Sequence, residues 1–353
     1  MTRVVVWSTG WIGSIAIRTI QARPDLELVG AWVHSPEKVG VDVGVLAGID
    51  EIGLAATGDA DALLALDPDC VVYAASGPGR DAGAVPDYLR MLEAGVDVVT
   101  VSSAGLVFPA GFDPAVAGPL AEAAERGGAT LYASGIEPGF AGDQLVLTLA
   151  TQSNTIRSIR TQELFLYDEY PVTFMMFEVF GFGKPLDHTP LMATDGAQLG
   201  TWGPPVRMVA HALGVELDTI RETYEREVTP RRLEVAAGVI EAGTVGAIRM
   251  ETIGVIDGRD AIVIEHVNRM APDVAPDWPT GNRDGTYRIV IDGDPRISCD
   301  MTVGTEQTAS ADGMVATAMR VVNAIPHVVA AAPGLVSSLD LPLTLPTHAF
   351  RRV

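Results

Sequence analysis

The residues whose types and spacing bear most directly on chemistry stand near the start of the chain, at Ser8-Thr9-Gly10-Trp11-Ile12-Gly13. They fit the second and third glycines of the dinucleotide fingerprint G-x-G-x-x-G, with Ser8 in the place of the first. In such a turn Gly10 lets the backbone approach a pyrophosphate, Gly13 lets strand and helix pack closely, and the helix N-terminus favours the anion. A turn that merely uses glycine is the plain alternative. About 20 residues on, where NAD sites often place an acid against the ribose 2'-hydroxyl, the chain has Val33-His34-Ser35-Pro36-Glu37-Lys38. His34, the Ser35 hydroxyl and the Lys38 cation suit a 2'-phosphate, so the sequence favours NADP(H) over NAD(H), while Glu37 keeps NAD(H) open. Two more strand ends, Ala75-Ser76-Gly77 and Val101-Ser102-Ser103, carry small residues that leave room for a flat ring.

Hydride transfer also needs the reacting carbon held in place and, often, a proton donor. The second half of the chain offers Lys184 and His188 in a glycine-flanked loop, and Asp168 and Glu169 where a strand ends. Each reads equally as a solvated side chain. Glu265 and His266 alternate faces of one strand, which cross-strand pairing explains without catalysis. Phe174, Met175, Met176, Phe177, Phe180 and Phe182 read as core, and would indicate a bulky apolar substrate if they lined a cleft.

The elements that must position these residues alternate. Strands predicted at 3–7, 26–33, 70–75, 96–101 and 130–133 are separated by helices at 14–22, 59–66, 85–94 and 113–126, the pattern of a doubly wound parallel sheet. After Gly135 come a helix at 139–151 and long alternating strands at 156–167, 248–256 and 261–270, with helices at 171–180 and 207–215. A hairpin is predicted around Asp292-Gly293-Asp294, and a last helix at 309–324. The fold class is therefore α/β, a Rossmann-type parallel-sheet domain plus an α+β substrate domain with a mainly antiparallel sheet. The boundaries fall at 1–138 for the first domain, with 305–353 packing back on it, and 139–304 for the second, which also serves oligomerisation.

Composition narrows the partners. A formal net charge of -21 opposes phosphate backbones, so no nucleic acid is expected. Two cysteines, Cys70 and Cys299, give neither a disulfide framework nor a metal-ligand spacing, and a thiol nucleophile of the semialdehyde dehydrogenase kind is disfavoured. No signal peptide or bilayer span is read, so the expectation is a cytoplasmic protein with a small-molecule substrate, no metal and no membrane, with a homodimer as the default assembly.

Beyond the opening turn, Lys38-Val39-Gly40, Asp42-Val43-Gly44, Leu46-Ala47-Gly48 and Gly135-Ile136-Glu137-Pro138-Gly139-Phe140 carry a resemblance over most of the chain. The sequence resembles the dihydrodipicolinate reductase-like proteins, including 2,4-diaminopentanoate dehydrogenase and amine dehydrogenases. That resemblance implies hydride transfer between NAD(P)H and a C=N or C=O group, in an imine, amine or ketone. It places Glu137, in the position of the family's usual Asn, and Pro138 beside the nicotinamide. The paired histidines of the lysine-pathway reductase are missing from the stretch Glu163 to Tyr170, so dihydrodipicolinate itself is not the expected substrate. Residues Ser102 to Pro109 contain no carboxylate where the resemblance implies a catalytic Glu. The competing expectation is a non-catalytic nucleotide-binding or sensing protein on the same fold.

Overall fold

A computed structural model describes residues 1–75, 81–283, 285–305 and 308–350. The backbone separates into two compact units, 1–139 with 314–353, and 140–313.

The first unit is built on six parallel strands, β1 (Thr2–Trp7), β2 (Leu26–Trp32), β3 (Cys70–Tyr73), β4 (Asp97–Thr100), β5 (Thr130–Ala133) and, from the far end of the chain, β14 (Gly334–Val336). Their order is β14-β5-β4-β3-β1-β2, so the direction of winding reverses between β1 and β3. Short, β-branched, continuously apolar strands are what a sheet covered on both faces requires. Accordingly Val4, Val5, Val6, Val71, Val72, Val98 and Val99 are all fully buried. On one face the strands meet helix α1 (Trp11–Gln21) and residues Val321, Val322, Ile325 and Val328; on the other they meet Tyr88, Leu92, Leu120 and Ala124. This is the Rossmann-type architecture that the alternation predicts. The short edge strand β14 carries no signal that sets it apart from a loop.

The second unit contains β6 (Thr155–Leu166), β7 (Thr219–Val228), the small hairpin β8 (Leu233–Val235) and β9 (Gly238–Ile240), then β10 (Val245–Ile256), β11 (Arg259–Arg269), β12 (Gly285–Asp294) and β13 (Ile297–Thr302). Six of them form one sheet, β13-β12-β6-β11-β10-β7, antiparallel throughout except where β6 runs parallel to β11. Register fixes the faces. Glu163 pairs with His266 and Met250 with His266, so these three share a face; Gln162, Glu251 and Glu265 share the opposite one.

Helix Ala197–Ala212 covers the first of these faces with Trp202, Val206 and Val209. It starts ten residues before the predicted Arg207, because Pro204 and Pro205 lie inside it rather than at its first turn. Proline usually marks a helix start or break, and here the packing of both buried rings overrides that preference. The helix predicted at 139–151 is confined to Gln144–Ala150, where the Asp143 carboxylate accepts from the Gln144 N–H. The stretch read as a helix at 171–180 holds a single wide π turn, Met175–Val179.

Candidate active site

The fingerprint turn is tight because of two residues. Ser8 takes a left-handed backbone (φ 100°), and its carbonyl oxygen lies where a Cβ on Gly13 would stand, 1.9 Å away. Any side chain at Gly13 would push α1 off the strand. At Gly10, by contrast, a Cβ would touch only the Ser8 hydroxyl, at 3.5 Å, so the turn is open there on its outer side. Gly10 caps α1 with no side-chain acceptor, and the first helical turn carries no acid. Positive partial charge at this terminus is therefore not offset by a nearby carboxylate.

Lys38 strengthens that field. It sits in the short 3-10 turn Pro36–Lys38 after β2, and its Nζ reaches back to 3.4 Å from Thr9 Oγ1. Ser35 precedes the turn with its hydroxyl making no cap bond. His34 is exposed and stacks on Trp32, which itself stacks on Trp7 at 5.0 Å between centroids. Trp11 and Ile12 open α1, Trp11 being exposed. The structure thus brings Ser8, Thr9, Gly10, Gly13 and Lys38 to one turn.

Past β4 and β5, a cavity of about 60 Å³ is lined by Thr100, Ser103, Ser134, Glu137, Pro138 and Thr317, among others. Its volume is about that of two waters. Ser103 Oγ is 3.0 Å from the Tyr88 hydroxyl, which in turn meets Thr100 Oγ1 at 2.8 Å. The Ser102 N–H donates to Thr100 Oγ1, while the Ser102 hydroxyl is buried with no hydrogen bond. Ala75 is buried just past β3; Ser76 and Gly77 lie outside the described residues. Thr317 and the Arg320 guanidinium, which donates to the Gly139 carbonyl at 3.3 Å, come from the distant C-terminal segment and carried no local signal.

In the second unit the four candidates for acid–base work have these contacts. Lys184 Nζ is held by Glu178 at 2.6 Å. His188 lends its backbone carbonyl to Arg226, and Asp168 lends its carbonyl to the Ala236 N–H at 2.7 Å. Glu169 is exposed. What the sequence reading passed over is Glu163, 7% exposed in mid-strand. Its Oε1 accepts from the Tyr167 hydroxyl at 2.5 Å and from Asn268 Nδ2 at 3.0 Å. His266, its partner across the β6–β11 pair, is buried against the Trp202 ring at 4.3 Å between centroids. Burial pulls the His266 imidazole below its usual range although Glu163 and Glu265 pull it up, so the ring is neutral at neutral pH.

Among the described residues no group of acids, histidines and cysteines has a metal-binding arrangement. No described helix is long and apolar enough to cross a membrane.

The sequence pattern of the 2,4-diaminopentanoate dehydrogenase C-terminal domain matches residues 140–351. The chain is 42% identical to an amine dehydrogenase of Streptomyces virginiae over 352 residues, 97% of each protein. It is 25% identical to the 2,4-diaminopentanoate dehydrogenase of Acetoanaerobium sticklandii over 256 residues, 72% of this chain and 68% of that one. A solved amine dehydrogenase from Mycobacterium smegmatis shares the fold with a TM-score of 0.80, at 22% identity over 98% of this chain and 97% of its own.

Proposed function

The chain belongs to the family of 2,4-diaminopentanoate and amine dehydrogenases, and from that premise we propose that it is a nicotinamide-dependent oxidoreductase that moves a hydride to or from a C=N or C=O carbon, in an imine, amine or ketone. The observation that carries the cofactor assignment is the fingerprint turn, closed at Gly13 by the Ser8 carbonyl and open at Gly10. Those residues fit a pyrophosphate: Gly10, Trp11 and Ile12 present the helix N-terminus, and Lys38 supplies the cation beside Thr9. Ser102, Ser103, Glu137 and Pro138 are proposed to meet the nicotinamide end, beside the small cavity that Ser103, Glu137 and Pro138 line. When bound, the cofactor supplies the hydride or takes it.

NADP(H) is favoured over NAD(H) because no carboxylate follows β2 until Glu37, while His34, Ser35 and Lys38 all offer hydrogen-bond donors. We assign the second unit to the substrate, and the assembly to a cytoplasmic homodimer with no metal. Lys184, His188, Asp168 and Glu169 rank lower as proton donors than the sequence suggests, since Lys184 is already ion-paired with Glu178 and Glu169 faces solvent. A purely nucleotide-sensing role has no structural observation in its favour.

The test is a fluorescence titration with NADPH and NADH, repeated on His34→Glu. Tighter binding of NADPH, weakened about fivefold or more by the substitution, supports the assignment. Binding of neither nucleotide overturns it.

A further inference from the structure

We infer that Glu163 binds the nitrogen of a primary amine as its ammonium form and takes a proton from it. The place of that step in a reaction rests on the oxidoreductase reading above; the binding itself stands on the geometry of the cluster.

A buried carboxylate ordinarily recruits a cation or a proton. Glu163 is nine-tenths buried, yet its only partners among the described residues are two neutral donors, the Tyr167 hydroxyl and the Asn268 amide. Both are spent on Oε1. Oε2 accepts from no described residue, and it is not among the side-chain oxygens sealed from solvent. One lone-pair-rich oxygen is therefore held in place and left unused.

Its surroundings suit an ammonium group. The Tyr167 ring, fixed by the hydroxyl bond to Glu163, lies 5.7 Å from Tyr170 and 6.1 Å from Phe180 between centroids, and Trp202 packs on His266 across the strand pair. Aromatic faces add attraction for a cation that has shed water. His266 is an unprotonated imidazole beside the carboxylate, which avoids repelling the ligand. The proton step balances simply. The ammonium N–H bond breaks, the proton goes to Oε2 of Glu163, and the neutral amine keeps the lone pair. The freed lone pair is what a C=N bond needs, and a nicotinamide, when bound, would supply the hydride acceptor.

Calorimetric titration with cyclohexylammonium chloride, set against tetramethylammonium, which has no N–H to donate, tests the assignment without turnover. Wild type binds cyclohexylammonium, and Glu163→Gln weakens it about tenfold or more, with Glu163→Asp between the two. Equal affinity in wild type and Glu163→Gln, or no binding by wild type, overturns the inference. If Glu163→Gln does not fold, Tyr167→Phe carries the test: relieved of one donor, the carboxylate binds cyclohexylammonium about threefold tighter, and an unchanged affinity is the overturning result. NADPH titration of the same wild-type sample reports separately on the cofactor reading.

Discussion

Glu163 on β6 and Glu265 on β11 lie in the same six-stranded sheet, both almost fully buried, on opposite faces. Glu265 is saturated. Arg160 meets it at 2.5 Å, Arg249 at 2.7 Å and Gln162 at 2.9 Å, and Glu251 shares both arginines. Burial alone would raise the Glu265 carboxyl, but Arg160, Gln162 and Arg249 together hold it below the usual carboxylate range. Among the described residues Glu163 has two neutral donors on one oxygen and no counter-charge. The same residue type, equally hidden, thus serves cohesion where its charge is answered and is available to a ligand where it is not.

Breaking that contrast gives the largest expected effect. Glu265→Gln leaves Arg160 and Arg249 facing a neutral amide and should cost about 3 kcal/mol in urea unfolding, while Glu163→Gln should change stability by less than about 1 kcal/mol. The reverse ranking would dissolve the distinction. Acid titration followed by near-ultraviolet circular dichroism sharpens it: because the folded carboxyl of Glu265 lies below 4.5, its contribution is complete above that pH and is lost as pH falls through the folded value.

Gly13→Ala tests whether the Ser8 to Gly13 turn and the Glu163 cluster act separately. The methyl would overlap the Ser8 carbonyl, so NADPH affinity should fall about tenfold with cyclohexylammonium binding unchanged in calorimetry. A smaller effect comes from a third carboxylate, Asp97 at the start of β4. Burial pushes it up to about 6 against the pull of the Thr130 N–H, 2.6 Å away, with Asp69 adding to the rise. Such a group favours the fold fully below its ordinary 3.8, and the benefit is lost as pH rises through about 6. Asp97→Asn keeps the acceptor for Thr130 and should add about 1 kcal/mol at pH 8, discounted for partial solvent access, read from chemical denaturation at pH 5 and pH 8.

The parallel sheet, its edge strand β14 aside, was legible because its strands are short apolar runs and the turn from strand to helix at Ser8 to Gly13 has its own residues. Glu163 was not legible for a physical reason. In Thr161-Gln162-Glu163-Leu164 the polar residues fall on both faces of β6 and all three are buried, so polar-apolar alternation gives no sign of which acid is hidden or what covers it. Asn268 likewise stands 105 residues from the carboxylate it serves. Sequence spacing carries helix-length correlations; a cross-sheet pairing of that separation leaves no local trace.

The edge strand β14 adds a constraint on how the protein can be made. Gly334–Val336 pairs with β5, and Val321, Val322, Ile325 and Val328 seal the sheet that the first residues of the chain begin. During synthesis the first unit must therefore wait, unfinished along one edge, until nearly all of the polypeptide has emerged. A gene fragment that stops at Gly139 would express a sheet with its β5 edge bare and one apolar face covered only by α1, so that half cannot be cut out as a continuous stretch; a working excision has to splice the C-terminal segment back on.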